Sequence, residues 1–336
     1  MKKVSIIIPV YNMEDWVESG IKCITEQTYE NLEIIIVDDG SKDNSYMKCL
    51  AEADKDRRIA GFSKNNEGPG AARNLALRKA TGDYIYFFDI DDYLEKNAIE
   101  KFVRYMENEN TDLVVCSFSM FDGEKVFRTV KKADGLKRTG GDARKDYYEH
   151  MFMYGERGIQ GAAWFKLYKT DIIRKNGIEF PKLRKNEDDV FVARYVNCID
   201  SFYMTGDVLC RYYVNSYKRF WDKYRFDIFD TSRQSTMYVK DIVLSWNRNN
   251  KDVLQRIYDD YFHKTFGSFC FLFNPNLKLN RKARYARLKE ITDIFMDDIS
   301  CDGIEINHPI FKCMKKKNYR AIYVRIVLHI WKHKFD

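Results

Sequence analysis

No two of the eight cysteines, at positions 23, 49, 116, 198, 210, 270, 301 and 313, stand at C-x-x-C spacing. That removes zinc ribbons and redox dithiols. The scatter fits reduced thiols in a cytoplasmic protein better than a disulfide framework. Proline is scarce, at 5, and glycine amounts to 17 of 336 residues, which excludes collagen-like and linker-dominated architectures. No stretch approaches the ~18 apolar residues of a membrane-spanning helix. The start Met1-Lys2-Lys3-Val4-Ser5-Ile6-Ile7-Ile8 imitates a signal peptide, but Pro9, Asn12, Glu14 and Asp15 end the apolar run too early, and a buried strand explains it better. Net charge is modest: 57 basic against 50 acidic side chains gives +7. Such an excess suits an anionic ligand or an anionic membrane surface better than DNA, and no nucleic-acid-binding module is recognisable. A P-loop Gly-Lys-Ser/Thr, internal repeats and low-complexity tracts are all missing.

What is present is a hydrophobic share of 45% and an aromatic share of 15%, enough for a large core and too much for a disordered chain. In the first hundred residues strand and helix alternate. Val4–Val10, Leu32–Val37, Ile59–Phe62 and Tyr84–Phe88 read as strands, the first, second and fourth without polar interruption except Ser5 and Glu33. Helices are expected over Asp15–Gln27, Ser45–Ala53 and Ala71–Ala80. Continuous apolar strands separated by helices imply an α/β fold, a mostly parallel sheet covered on both faces. From about residue 97 the pattern loosens: helix Ala98–Met106, strand Leu113–Phe118, a turn at Asp122-Gly123 with Lys125–Val130 returning, an apolar stretch Ala162–Tyr168, helix Asp189–Val196 and strand Ser201–Tyr213. Beyond residue 220 the chain reads as helical. The organisation expected is residues 1–218 as one domain, divided into halves 1–100 and 101–218, followed by a helical region 219–336.

Acidic side chains gather at the carboxyl ends of these strands, where open α/β sheets bind ligands. Asp38 and Asp39 end the second strand; Asp89, Asp91 and Asp92 end the fourth. A turn or cap carboxylate accounts for many strand-end aspartates. Three carboxylates in four residues repel one another, and a divalent cation relieves that repulsion. Hard oxygen ligands select Mg²⁺ or Mn²⁺, which take one or two carboxylates together with substrate phosphates. A nucleoside diphosphate is the natural ligand. Between the two clusters lies Asn65-Asn66-Glu67-Gly68-Pro69-Gly70-Ala71-Ala72-Arg73-Asn74, a glycine-containing loop entering a helix, where phosphate is favoured and Arg73 can pair with it. A plain loop and helix cap is the competing reading of that segment.

In order along the chain, Pro9-Val10-Tyr11-Asn12, Gln27-Thr28-Tyr29, Val37-Asp38-Asp39-Gly40-Ser41, Ala72-Arg73-Asn74, Gly82-Asp83-Tyr84-Ile85, Asp89-Ile90-Asp91-Asp92, Trp164-Phe165-Lys166-Leu167-Tyr168 and Glu187-Asp188 with Phe191 resemble a family 2 glycosyltransferase of the GT-A fold, of the bacterial surface-polysaccharide type. The resemblance covers about residues 3–215. It implies that Pro9, Tyr11 and Asp39 line the base pocket of a UDP-sugar, with Tyr11 stacked on uracil and Asp39 accepting its ring N–H. It implies that Asn66 and Arg73 lie on the nucleotide side, and that Asp89 to Asp91 is the family's DxD motif. Asp91 would then hold the metal, with Asp89 on the metal, ribose or sugar. Asp188 would be the base that takes the proton of an acceptor hydroxyl, and Asp189 its structural neighbour. One base on the acceptor side and a metal at the leaving group suit a single in-line displacement with inversion.

Two departures matter. Some relatives place a metal-binding His after the acidic pair, whereas here none lies between His150 and His263. The Gln-x-x-Arg-Trp of processive synthases has only a loose echo in Arg219-Phe220-Trp221, so one sugar is expected per encounter. Trp164 and Tyr168 read equally as a sugar platform or as core. In the tail, Tyr319, Ile322, Tyr323, Ile326, Val327, Ile330 and Trp331 keep helical spacing among Lys315, Lys316, Lys317, Arg320, Arg325, Lys332 and Lys334. Segment 312–334 is therefore either an amphipathic helix at the inner face of an anionic membrane, suited to a lipid-linked saccharide acceptor, or a helix docked on the domain. Two rivals to glycosyl transfer stay open. A sugar nucleotidyltransferase needs a basic glycine-rich loop after the first strand, where Tyr11-Asn12-Met13-Glu14 stands. A non-catalytic relative would bind nucleotide or glycan only.

Overall fold

The unbroken apolar runs become neighbouring strands because a strand without a polar face must be covered on both sides. The computed structural model describes residues 1–151, 161–183, 185–214, 228–246, 251–300 and 302–333. The chain divides into two units, Met1–Asn215 and Ser216–Asp336. In the first, β1 (Val4–Val10), α1 (Val17–Thr25), β2 (Leu32–Asp38), α2 (Ser45–Ala53), β3 (Ile59–Ser63), α3 (Pro69–Lys79) and β4 (Tyr84–Phe87) alternate as the sequence predicts. Then follow β5 (Tyr93–Leu94), α4 (Ala98–Asn108), β6 (Leu113–Phe121), β7 (Val126–Val130), β8 (Leu136–Thr139), α5 (Gly141–Met151), β9 (Lys166–Lys169), α6 (Thr170–Lys175), α7 (Glu187–Val196) and β10 (Ser201–Tyr213). The elements β5, β8, α5 and α6 have no counterpart in the sequence reading.

One sheet runs β3-β2-β1-β4-β9-β6-β10-β5, with β7 on β6 and β8 on β10. Its first four strands are all parallel. The second half is mixed: β9 runs antiparallel to both β4 and β6, while β10 runs parallel to β6. The register places Val10 beside Asp38, Asp38 beside Ser63, and Ile7 beside Phe87. The carboxyl ends of β1 to β4 therefore open on one edge, which is where Asp38, Asp39, Asp89, Asp91 and Asp92 sit. Helix α7 starts at Glu187, two residues before the predicted start, so its first turn carries Glu187, Asp188 and Asp189. Carboxylates there are favoured by the helix dipole.

The second unit consists of α8 (Ile228–Trp246), α9 (Lys251–Phe271), α10 (Arg281–Ile299), α11 (Pro309–Lys315) and α12 (Tyr319–His333), with a short 3-10 turn at Pro275–Leu277. Its core holds Tyr261, Phe262, Phe295 and Phe311, all buried. Arg233 forks onto Asp298 with both contacts at 2.7 Å. No helix among the described residues is long and apolar enough to cross a membrane. Arg219-Phe220-Trp221 and the expected boundary at 218 lie outside the described residues.

Helix α1 fixes the end of β4 through a close approach. A Cβ at Gly20 would meet the carbonyl oxygen of Ile90 at 2.3 Å, between Asp89 and Asp91. Gly20→Ala is expected to cost about 1–3 kcal/mol by overpacking, measured by urea denaturation. Unchanged stability would show that α1 does not clamp this segment.

Candidate active site

The three loops that follow β1, β2 and β3 are laced together by their own polar groups. Asp39 N donates to Val10 O (2.8 Å), Asn12 N to Ser41 Oγ (2.9 Å), and Lys42 N to Asn12 Oδ1 (2.9 Å). Asp38 caps its own turn, accepting from Gly40 N and Ser41 N at 3.1 Å each. Asp39 holds the glycine loop, accepting from Glu67 N (3.1 Å), Gly68 N (2.7 Å) and Lys64 Nζ (2.9 Å). It is buried, and a uracil N–H would be a fourth donor to a carboxylate with about four lone-pair sites. Pro9 is half-buried at the end of β1, while Tyr11 and Asn66 are exposed at the mouth of the same edge.

Arg73 is the centre of the site. It is buried on the first turns of α3, above the Phe180 ring, 5.4 Å from the centroid. Its Nη2 donates to Asp89 Oδ1 (2.9 Å), and its Nη1 donates to Glu187 Oε1 (2.9 Å) and Asp188 Oδ1 (3.0 Å). One guanidinium thus joins the end of β4 to the start of α7, reaching Glu187 across 114 residues of sequence from Arg73. The close packing at Gly70 permits this, since a Cβ there would lie 3.2 Å from Glu187 Cγ and 3.1 Å from Phe180 Cβ. Burial works against the Arg73 charge, but Asp188, Asp89 and Glu187 outweigh it and hold the group protonated. Burial raises Glu187 and Asp188 above the usual carboxylate range; the Arg73 charge opposes the rise in both. The sequence reading gave Arg73 to the nucleotide. In the structure its fork rests on three carboxylates, and Nε has no hydrogen-bond partner.

The other wall of the site is the segment before β9. Ala163 N donates to Asp188 Oδ2 (3.2 Å), and the segment is pinned by Lys166 Nζ on Ala162 O (2.5 Å) and Tyr168 OH on Ala163 O (3.0 Å). Asp189 lies against the same segment, at Gly161, where a Cβ would collide with its Oδ1. Tyr168 is fully buried against Phe87, Phe191 and Tyr195, so it is core and not a sugar platform. Trp164 is buried too, stacked beneath Tyr212 at 5.3 Å and 10°. The exposed ring is Tyr212, which the sequence reading missed. Burial first, then the charges of Asp92, Asp89, Asp91 and Asp188, push its phenol up to about 12, so it senses both acidic clusters. Its only sequence signal is its place at the end of an apolar strand.

Asp92 is buried, accepts from Tyr213 N (2.9 Å) and leaves Oδ2 without a partner. Burial, with the charges of Asp89 and Asp91 added, pushes it well above the ordinary range. The strand end thus gathers three carboxyl groups, Asp92 of them buried, and its donors are hard oxygens. That chemistry fits Mg²⁺ or Mn²⁺. Among the described residues no group of three or more His, Cys, Asp or Glu side chains could hold an ion. Asp91 and Asp89 are the residues that would hold such an ion.

A parallel α/β half with acidic strand ends, joined to a mixed half that supplies a second acidic pair, is the GT-A architecture. The model of glycosyl transferase family 2 matches residues 5–175, half of the chain and all within the first unit, and the chain belongs to that family. It is 33% identical over 194 residues to the glycosyltransferase EpsH of Bacillus subtilis strain 168, a match covering 57% of this chain and 55% of EpsH, so the chain spans just over half of that relative. Among solved structures, TarS 1–349 of S. aureus in complex with UDP-GlcNAc is similar at a TM-score of 0.67 and 17% identity, over 99% of this chain and 92% of that one. The mannosyltransferase PcManGT of Pyrobaculum calidifontis, in complex with GDP-Man and Mn²⁺, is similar at a TM-score of 0.55 and 16% identity, over 99% and 88%. At these identities the two structures speak for the fold.

Arg73→Met would strand one buried carboxylate, Glu187, and two half-buried ones, Asp89 and Asp188. A loss of about 3–5 kcal/mol in urea denaturation is expected, with Arg73→Lys recovering part of it. Equal losses for the two variants would show that the charge at this position does not hold the cluster.

Proposed function

We propose that the protein is an inverting, metal-dependent glycosyltransferase that moves one sugar from a UDP-sugar to a hydroxyl of a cell-surface glycan acceptor. The observation that carries this reading is the Arg73 bridge, which draws Asp89 of the DxD segment and Asp188 of the acidic pair onto one guanidinium. The UDP-GlcNAc held by TarS and the Mn²⁺ held by PcManGT support the choice of donor and ion. Residues 1–218 form the catalytic domain in this reading, with 1–100 taking the nucleotide sugar and 101–218 the acceptor, and 219–336 is a helical region appended to it.

The chemistry follows from the placement of the groups. Pro9, Tyr11 and Asn66 face the nucleotide, with Asp39 holding the glycine loop that borders it. Asp91 and Asp89 would hold a divalent cation, which when bound would offset the charge of the departing diphosphate. Asp188 takes the acceptor hydroxyl proton. Its Oδ1 is fixed by Arg73 and its Oδ2 by Ala163 N, so the carboxylate presents a set direction. Burial makes Asp188 a stronger proton acceptor than an ordinary aspartate, which is what a general base needs. Tyr212, exposed above Trp164, is placed to cover the sugar between the two acidic clusters. With the base opposite the leaving group, an α-linked donor yields a β-linked product. The reading places the enzyme in the cytoplasm at the inner face of the membrane, with a lipid-linked saccharide as acceptor.

A panel of UDP-sugars assayed by UDP release with Mn²⁺ tests the reaction. Asp188→Asn should keep donor affinity and lose about 10²–10⁴ in transfer. Transfer that survives in Asp188→Asn would overturn the assignment of the base. Because the folded state raises the pKa of Asp188, the ionised base is lost as pH falls through that raised value. The acid limb of transfer should therefore stand above ~3.9, the ordinary aspartate value. A limb at the ordinary value would contradict the buried base.

A further inference from the structure

Helix α12 has two apolar faces, and only one of them is used. Ile322 and Ile326 are fully buried. On the same side Tyr319 OH donates to Asp293 (2.6 Å), Tyr323 packs on Phe273 at 5.1 Å, and His329 packs on Phe266 at 4.9 Å. At about 100° per residue, Val324, Val327, Leu328 and Trp331 fall half a turn away on one common ridge. They are 55%, 39%, 58% and 69% exposed. The docked face thus takes Ile322, Tyr323 and Ile326 from the stripe expected in the sequence. Val327 and Trp331 go to the outer ridge, joined by Val324 and Leu328.

The surroundings of the ridge are cationic. Arg320, Arg325 and Lys332 lie on α12 itself, and Lys315, Lys316 and Lys317 precede it. Beside Leu328 opens a cavity of about 280 Å³ in which Arg325, Lys332, His308 and His329 meet the apolar Phe266 and Leu328. Its described lining holds no carboxylate. The positive field there is felt by His308, which burial and then His263, His329 and Arg325 all push down.

We propose that the outer face of α12 docks on an anionic lipid surface, with Val324, Val327, Leu328 and Trp331 entering the interface and the Arg325–Lys332 cavity receiving a lipid headgroup phosphate. The pairing decides the occupant: an apolar ridge alone fits any partner, whereas an apolar ridge beside an acid-free cationic cavity matches a layer of tails capped by phosphates. Charge brings the helix to the surface, and the tryptophan and aliphatic side chains hold it there. The inference deepens the placement at the membrane face and is independent of sugar transfer.

Co-sedimentation with phosphatidylcholine vesicles, with and without phosphatidylglycerol, tests it on the full chain. Binding should favour the anionic vesicles by about tenfold or more. Leu328→Ser with Trp331→Ser, and separately Arg325→Glu with Lys332→Glu, should each lower it by about tenfold or more, while UDP release in solution is unchanged. No preference for anionic vesicles, or binding indifferent to both double variants, overturns the proposal. So does a wild-type dimer in light scattering that Leu328→Ser with Trp331→Ser dissolves, since a second copy then covers the ridge. Loss of vesicle binding with UDP release intact separates this surface from the catalytic reading.

Discussion

The site depends on one buried cation. Arg73 is surrounded by Asp89, Glu187 and Asp188, so a single positive charge faces three carboxyl groups in a place with little water. Burying a charge is costly unless it is paired, and a fork of five N–H donors is the side chain best suited to pair with several carboxylates at once. The balance is incomplete, however. Burial raises the pKa values of Glu187 and Asp188 above their ordinary values, against the pull of the Arg73 charge. A site with spare negative charge attracts a metal ion on one side and an acceptor proton on the other. The same interaction that stabilises the fold thus prepares the chemistry.

The rest of the architecture keeps Arg73 in position. Its helix is launched by the glycine loop, which Asp39 ties to the end of β2. Its floor is the stacked pair Phe180 and Phe191, 4.1 Å apart, with Phe87 of β4 edge-on to both. Its far partners are fixed by the first turn of α7, and that turn is fixed by the backbone N–H of Ala163. These contacts are all made between the chain's own groups. Preorganised groups do not have to be gathered when the donor arrives, and this is where electrostatic catalysis gains most.

The sequence discloses the parallel half well because β1, β2 and β4 are apolar but for Ser5, Glu33 and the closing Asp38, and so read as interior strands. It also discloses that acidic groups gather at strand ends, since that follows from where each apolar run stops. It does not disclose what Arg73 binds. Glu187 and Asp188 are more than a hundred residues away, and only the sheet order brings them together. Tyr212 was hidden for a similar reason: a tyrosine closing an apolar strand looks like core until Trp164 is seen to occupy the buried place beneath it. In α12 nearly every non-basic residue is apolar, so spacing alone cannot tell the docked face from the outer one. The neighbouring helices make that choice.

Coupling between the two acidic clusters through Arg73 is the central claim. A double-mutant cycle of Arg73→Met and Asp188→Asn, read by urea denaturation, measures it directly. The account predicts an interaction above about 1 kcal/mol, because neutralising Asp188 removes part of the penalty left by the missing guanidinium. Losses that simply add, within about 0.5 kcal/mol, would mean that Arg73 and Asp188 do not share one site.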